Sequence, residues 1–208
     1  MTPEEIERFW KMGLVQSMNS VSPGFVIDER NQKLISEIYL WVWAWMGRKD
    51  RGKLDPNKGL LLWGDIGTGK TTIIKGLQKY LAAINELAYG CNNRSICFEI
   101  KSAAEISLRY SADGMKAMER WTEREQAGHL AIDEIGRESV SNHFGTPCNT
   151  IQTILQLRYE LRHRIITHAT TNIDMSGTEF SERYGTYIYD RLKEMFNIIH
   201  VGGKSRRI

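Results

Sequence analysis

Two hydrophobic rhythms alternate along this chain. Short apolar runs bounded by turn residues read as buried strands. Longer stretches with apolar residues every three or four positions read as amphipathic helices. The strand candidates are Gly59–Trp63, Ser95–Ile100, His129–Glu134, Ile165–Thr171 and Asn197–Val201. Between the first two, Thr71–Ala88 carries Ile73, Ile74, Leu77, Leu81 and Ile84 at helical spacing. Ser102 and Glu105 form a capping box that opens another helix, which breaks at Ser111-Ala112-Asp113-Gly114 and resumes as far as Glu125. Thr150–His163, a short stretch after Ser176 and Thr186–Met195 complete the later helices, and residues 136–147 form a polar loop. Strands alternating with helices predict a three-layer α/β domain, with a five-stranded parallel sheet covered by helices on both faces.

Two more helices precede the first strand. Thr2-Pro3-Glu4-Glu5 is a helix start, with Thr2 as N-cap and Pro3 at the first helical position. This helix is predicted over Pro3–Met12, with Ile6, Phe9 and Trp10 on one face and Gly13 as its end. The second spans Glu29–Met46 with a stripe of Leu34, Ile38, Trp41, Val42 and Trp45, and Gly47 stops it. Trp43 points away from that stripe and is expected to pack on another element. Arg48–Lys53 reads as a solvated connector. The expected division is a short helix and loop over 1–24, a candidate partner contact, followed by one main domain over 25–208.

Composition adds limits. A chain of 208 residues, 41% hydrophobic, suits one domain with a sizeable core. A net charge of +3 is too small to point to nucleic acid by itself. Cys91, Cys97 and Cys148 are too few and too scattered for a disulfide framework or a zinc site, and read as reduced thiols of a cytoplasmic protein. Tyr39–Met46, the longest apolar stretch, is far too short to span a bilayer, and the N-terminus has no signal-peptide pattern, so no membrane is expected.

The candidate chemistry lies at the strand ends. Gly64-Asp65-Ile66-Gly67-Thr68-Gly69-Lys70-Thr71 fits G-x-x-x-x-G-K-[ST], between an apolar run and a helix. Its glycines let backbone N–H groups close on phosphate oxygens at a helix N-terminus. Lys70 is placed to reach the β- and γ-phosphates, and the Thr71 hydroxyl to ligate Mg²⁺. Asp133 and Glu134 end the third strand. Alone such a pair is an ordinary loop start. After a phosphate loop it reads as an Mg²⁺-shell carboxylate followed by a water-activating base. A phosphotransferase has no use for that base, so Glu134 argues for hydrolysis. Thr171 and Asn172 end the fourth strand, where ligands of a parallel sheet bind.

Together Gly64–Thr71, Ile132-Asp133-Glu134-Ile135-Gly136, Thr170-Thr171-Asn172, Asp190-Arg191-Leu192 and Gly203-Lys204-Ser205-Arg206-Arg207 resemble the AAA+ ATPases of the DnaC/DnaI helicase-loader group, with the IstB-type transposition helpers as close relatives. The resemblance covers about residues 25–207. It implies an ATP- and Mg²⁺-dependent hydrolase with Gly64, Asp65, Gly67, Thr68, Gly69, Lys70, Thr71, Thr72 and Arg207 around the nucleotide. It makes Thr71 and Asp133 the metal residues and Glu134, Asn172 and Arg191 the catalytic ones, Arg191 acting as an arginine finger in a neighbouring subunit's site. By spacing alone Arg191 is as readily a surface partner of Glu194 or Asp190, and Arg183 is a rival finger. The implied partners are a replicative helicase or transposase, single-stranded DNA and further copies of the chain assembled with ATP, in a bacterial or phage cytoplasm. Lys101, Arg109, Tyr110 and Lys116 fall where that group meets single-stranded DNA, although a solvated helix face explains the same residues. Arg158, Arg162 and Arg164 form a second basic run. No separate C-terminal lid is expected after Arg207.

Overall fold

Packing, more than local helix signals, sets the length of the first helix. The computed structural model describes residues 3–47, 52–87, 97–203 and 205. These fall into two units, Met1–Pro56 with Gly69–Cys97, and Asn57–Thr68 with Phe98–Ile208. The expected Thr2 cap, Arg48–Arg51 of the connector and the start of the second strand at Ser95 lie outside the described residues.

The first unit holds α1 (Pro3–Val21), α2 (Gln32–Trp45) and α3 (Lys70–Leu87). α1 runs straight through Gly13, where the sequence predicts an end. The added turns bring in Leu14 and Met18, both with 0% exposure. Burying two such side chains contributes about 1.5–3 kcal/mol each. An interior glycine costs about 0.5–1 kcal/mol, so the helix continues. Two glycines of this unit are contact points: a Cβ on Gly76 would lie 2.5 Å from Met18 Cγ, and one on Gly13 3.4 Å from the Tyr80 ring. α2 starts later than predicted because residues 28–31 form a turn, in which Asn31 Oδ1 accepts the Asp28 N–H at 2.9 Å. Trp43 packs as expected, edge-on to Trp10 at 5.6 Å and to Tyr39 at 6.0 Å.

The second unit contains β1 (Gly59–Trp63), β2 (Phe98–Ser102), α4 (Ala103–Asp113), a 3-10 turn (Gly114–Met118), α5 (Glu119–Thr122) and β3 (His129–Ile135). A hairpin of β4 (Ser141–His143) and β5 (Thr146–Cys148) follows, then α6 (Thr150–Glu160), β6 (Thr167–Thr171), α7 (Glu179–Tyr184), α8 (Thr186–Met195) and β7 (Phe196–His200). The five strands of the main sheet are parallel in the order β2-β3-β6-β1-β7. Leu61, Ile132 and Ala169 from the strands share a buried cluster with Ile106, Ile154, Phe180 and Leu192 from the helices. β1 and β6 approach so closely at Gly59 that a Cβ there would lie 1.6 Å from the Thr167 carbonyl oxygen.

The segment predicted as a plain polar loop carries the hairpin. Its apolar pattern is weak because hydroxyls hold it: Ser141 donates to the Ser107 carbonyl at 3.0 Å, and Thr150 donates to Ser141 at 2.8 Å. Arg158, read as part of a basic surface, has 0% exposure. Its guanidinium donates to Thr167 Oγ1 and to the carbonyls of Trp121, Gly128 and Ile166 at 2.6–3.1 Å. It is an internal clamp, and burial pushes its pKa down to about 9.

Candidate nucleotide-binding site

Strand register assembles the site. Trp63 at the end of β1 lies beside Thr171 at the end of β6, and Thr171 beside Ile135 at the end of β3. The loop after β1, the turn after β6 and the acidic pair of β3 therefore leave neighbouring strands at their carboxyl ends. This is where a parallel sheet binds its ligands.

Gly64 and Gly67 shape the phosphate loop. Gly64 has φ +140° and a Cβ there would lie 2.5 Å from the Val201 carbonyl oxygen. Gly67 has φ +84° and a Cβ there would lie 2.3 Å from Ser205 Oγ. Thr68 donates its hydroxyl to the Asp65 carbonyl at 3.0 Å, closing the loop on itself. Gly69, Lys70, Thr71 and Thr72 carry the chain into α3, whose first bond runs from the Ile73 N–H to the Gly69 carbonyl at 2.9 Å. Lys70 is only 6% exposed.

The acidic pair sits on an irregularity. β3 and β6 pair as Ile132 with Ala169, then as Ile135 with Thr171, so Asp133 and Glu134 face the single residue Thr170. Glu134 adopts φ +60°. For a residue with a side chain this costs on the order of 1–3 kcal/mol and is held only by its surroundings. Bulges of this kind re-aim side chains beside active sites. Asp133 is 8% exposed. The Glu134 carboxylate is more open and pairs with Arg137 at 3.0 Å. Thr171 donates to the Ile135 carbonyl at 2.7 Å and accepts the Ile173 N–H at 3.1 Å, fixing the turn that carries Asn172.

Taken separately, the Asp133 carboxylate and the Thr71 hydroxyl are each hard oxygen donors, the kind that Mg²⁺ takes.

Other predicted residues are placed elsewhere. Arg191 lies on α8 between two rings, 3.7 Å from the Tyr187 centroid and 4.1 Å from that of Tyr159, with Glu160 at 3.6 Å. Arg183 is committed to Glu138, whose nearly buried carboxylate also accepts from Tyr184 and from the Gly136 N–H. Glu138 was not visible as a site residue, because its partners lie up to 46 residues away. Lys101 and Arg109 both pair with Glu105, at 2.7 and 3.1 Å. Those pairs hold the Glu105 carboxyl below its ordinary pKa, the Lys101 hydrogen bond most of all. Of the capping box only the Ser102 half forms, accepting the Glu105 N–H at 3.0 Å. Tyr110 is 7% exposed within the core, so its ring is not available to stack on a base. Lys116 is exposed on the 3-10 turn. Arg207 lies outside the described residues.

No protein-family profile matches the chain, and no curated protein matches it. Solved structures do. A candidate primosome component from Streptococcus pyogenes serotype M3 superposes with a TM-score of 0.55 at 17% identity, over 88% of this chain and 85% of that one. The DnaC helicase loader superposes with a TM-score of 0.54 at 16% identity, over 87% of this chain and 95% of that one. The fold is that of the AAA+ P-loop ATPases. In this sheet β3, β6 and β1 are three successive neighbours, and they carry the acidic pair, the polar turn and the glycine-rich loop respectively. No described helix is long and apolar enough to cross a membrane.

Proposed function

We propose that the protein is an ATP hydrolase of DNA replication that loads or remodels a replicative helicase on single-stranded DNA. The observation that carries this reading is the register just described, which gathers the loop after Trp63, the Asp133–Glu134 pair and Asn172 at one edge of the sheet. Lys70 and the loop amides would bind the phosphates, and Thr71 and Asp133 are the residues that would hold Mg²⁺, which would supply charge neutralisation there. Glu134 would orient and deprotonate the attacking water, and Asn172 is the polar residue that would sense the γ-phosphate. Arg207 joins the nucleotide shell. Arg191 serves the site of a neighbouring copy, so assembly with ATP is part of the reading. Helicase loading is favoured by the likeness to a helicase loader over most of both chains. The expected compartment is the cytoplasm of a bacterium, or of one infected by phage.

ATP turnover per protein, followed against protein concentration with and without single-stranded DNA, tests the reading. Specific activity is expected to rise with concentration and with DNA. Arg191→Ala is expected to remove the rise, a trans finger being worth roughly 10³–10⁵ in rate. Glu134→Gln is expected to keep ATP bound and stop turnover. Activity that is flat in concentration and blind to DNA would overturn the shared site.

A further inference from the structure

Thr170 makes two bonds with one hydroxyl. The residue is on β6, 1% exposed. Its Oγ1 donates to Asp133 Oδ1 at 2.5 Å and accepts the Glu134 N–H at 2.8 Å. A hydroxyl carries one proton and two lone pairs, so the two bonds use different sites on the oxygen and do not compete. The first is charge-assisted, which makes it short and strong. The second replaces a ladder bond. At the irregularity two residues of β3 face one of β6, and the Glu134 amide finds a side chain where a regular strand would meet a carbonyl.

We propose that Thr170 is the positioning residue of the acidic pair. One buried hydroxyl orients the Asp133 carboxylate and at the same time anchors Glu134 in its left-handed conformation, φ +60°. The metal-facing carboxylate and the base are thus set by a common support, and a shift of one shifts the other. The inference rests on the reading that Asp133 and Glu134 serve ATP hydrolysis, and deepens it. Thr170 is buried and acts through its two hydrogen-bonded neighbours, Asp133 and Glu134.

The alternative is a core threonine that only fills space. Thr170→Val keeps the shape and removes the hydroxyl, while Thr170→Ser keeps the hydroxyl and removes a methyl. Wild type and Glu134→Gln are measured first. If wild type neither binds nor turns over ATP, the functional reading fails and the proposal with it. Given an active wild type, Thr170→Val is expected to bind a fluorescent ATP analogue without Mg²⁺ about as wild type does, and to lose most of the gain in affinity that Mg²⁺ brings. Its kcat is expected to fall about 10–100-fold, the usual cost of losing a residue that orients a metal ligand, with KM nearly unchanged. Thr170→Ser is expected to restore both. Amide exchange at Glu134, read without nucleotide, is expected to quicken in the valine variant and not in the serine one. If the valine variant does not fold, Thr170→Ala replaces it in the same comparison. A kcat within twofold of wild type in the hydroxyl-free variant, or equal losses in the serine and hydroxyl-free variants, would overturn the proposal.

Discussion

His168 sits within β6 with 0% exposure, its Nδ1 accepting the Leu60 N–H at 3.2 Å. Burial, with His129 and Arg158 nearby, holds its pKa down at about 3. The unfolded chain binds that proton near pH 6.5 and the native state does not. Stability is therefore full above pH 6.5 and is lost as pH falls toward 3, by up to about 1.4 kcal/mol per pH unit. Urea midpoints are expected to drop between pH 7 and pH 5, and His168→Gln, which keeps an acceptor and removes the titration, should flatten the slope by about one proton. An unchanged slope would mean that another group dominates. Gly67 allows a second test at this scale. An alanine there meets both φ +84° and Ser205, a strain of about 1–3 kcal/mol. Since 1.4 kcal/mol is tenfold in affinity, Gly67→Ala is expected to weaken ATP binding by about tenfold or more in an equilibrium titration.

Elements show why some features were legible in the sequence and others were not. Lys70, Asp133 and Glu134 lie in short strings whose chemistry needs no partner to be recognised. Thr170, Glu138 and Arg158 carry their meaning in residues 30 or more positions away, which no local pattern exposes. β1 read correctly because an apolar run between a connector and a glycine loop has few other fates. The β4–β5 hairpin did not, because Ser141 and Thr150 hold it through hydroxyls in place of an apolar face. α1 was read short because a glycine is a local stop signal, overruled here by Leu14 and Met18. That packing predicts a cost: Gly76→Val drives a side chain into Met18 and is expected to destabilise the first unit by about 1–3 kcal/mol in thermal unfolding. Arg158→Met strips the donor from four oxygens and is expected to cost about 3 kcal/mol or more in urea unfolding. A loss under 1 kcal/mol would mean that the carbonyls find water.

At the scale of the molecule the net charge is a modest +3, and several basic side chains are held in ion pairs. Lys101 and Arg109 are already engaged by Glu105, and Arg162 by Glu194 at 3.2 Å. Reversing Lys116, which is exposed, is expected to weaken single-strand binding and lower the salt slope by about one. Reversing Lys101 is expected to do less. Equal effects would place the nucleic acid along the whole of α4.

β1 lies between the last two strands of the parallel sheet to be synthesised. Leu60 and His168, hydrogen-bonded in the native state, are 108 residues apart, and β7 comes later still. Pairing across such a distance is slow and waits for the distant partner to exist. On the ribosome β2 and β3 can meet early, while the phosphate loop emerges without a strand on either side of its own. Capture by immobilised ATP thus distinguishes nascent chains that hold β7 from shorter ones: chains stalled before Phe196 are expected to wash through, and chains extended well past His200 to be retained.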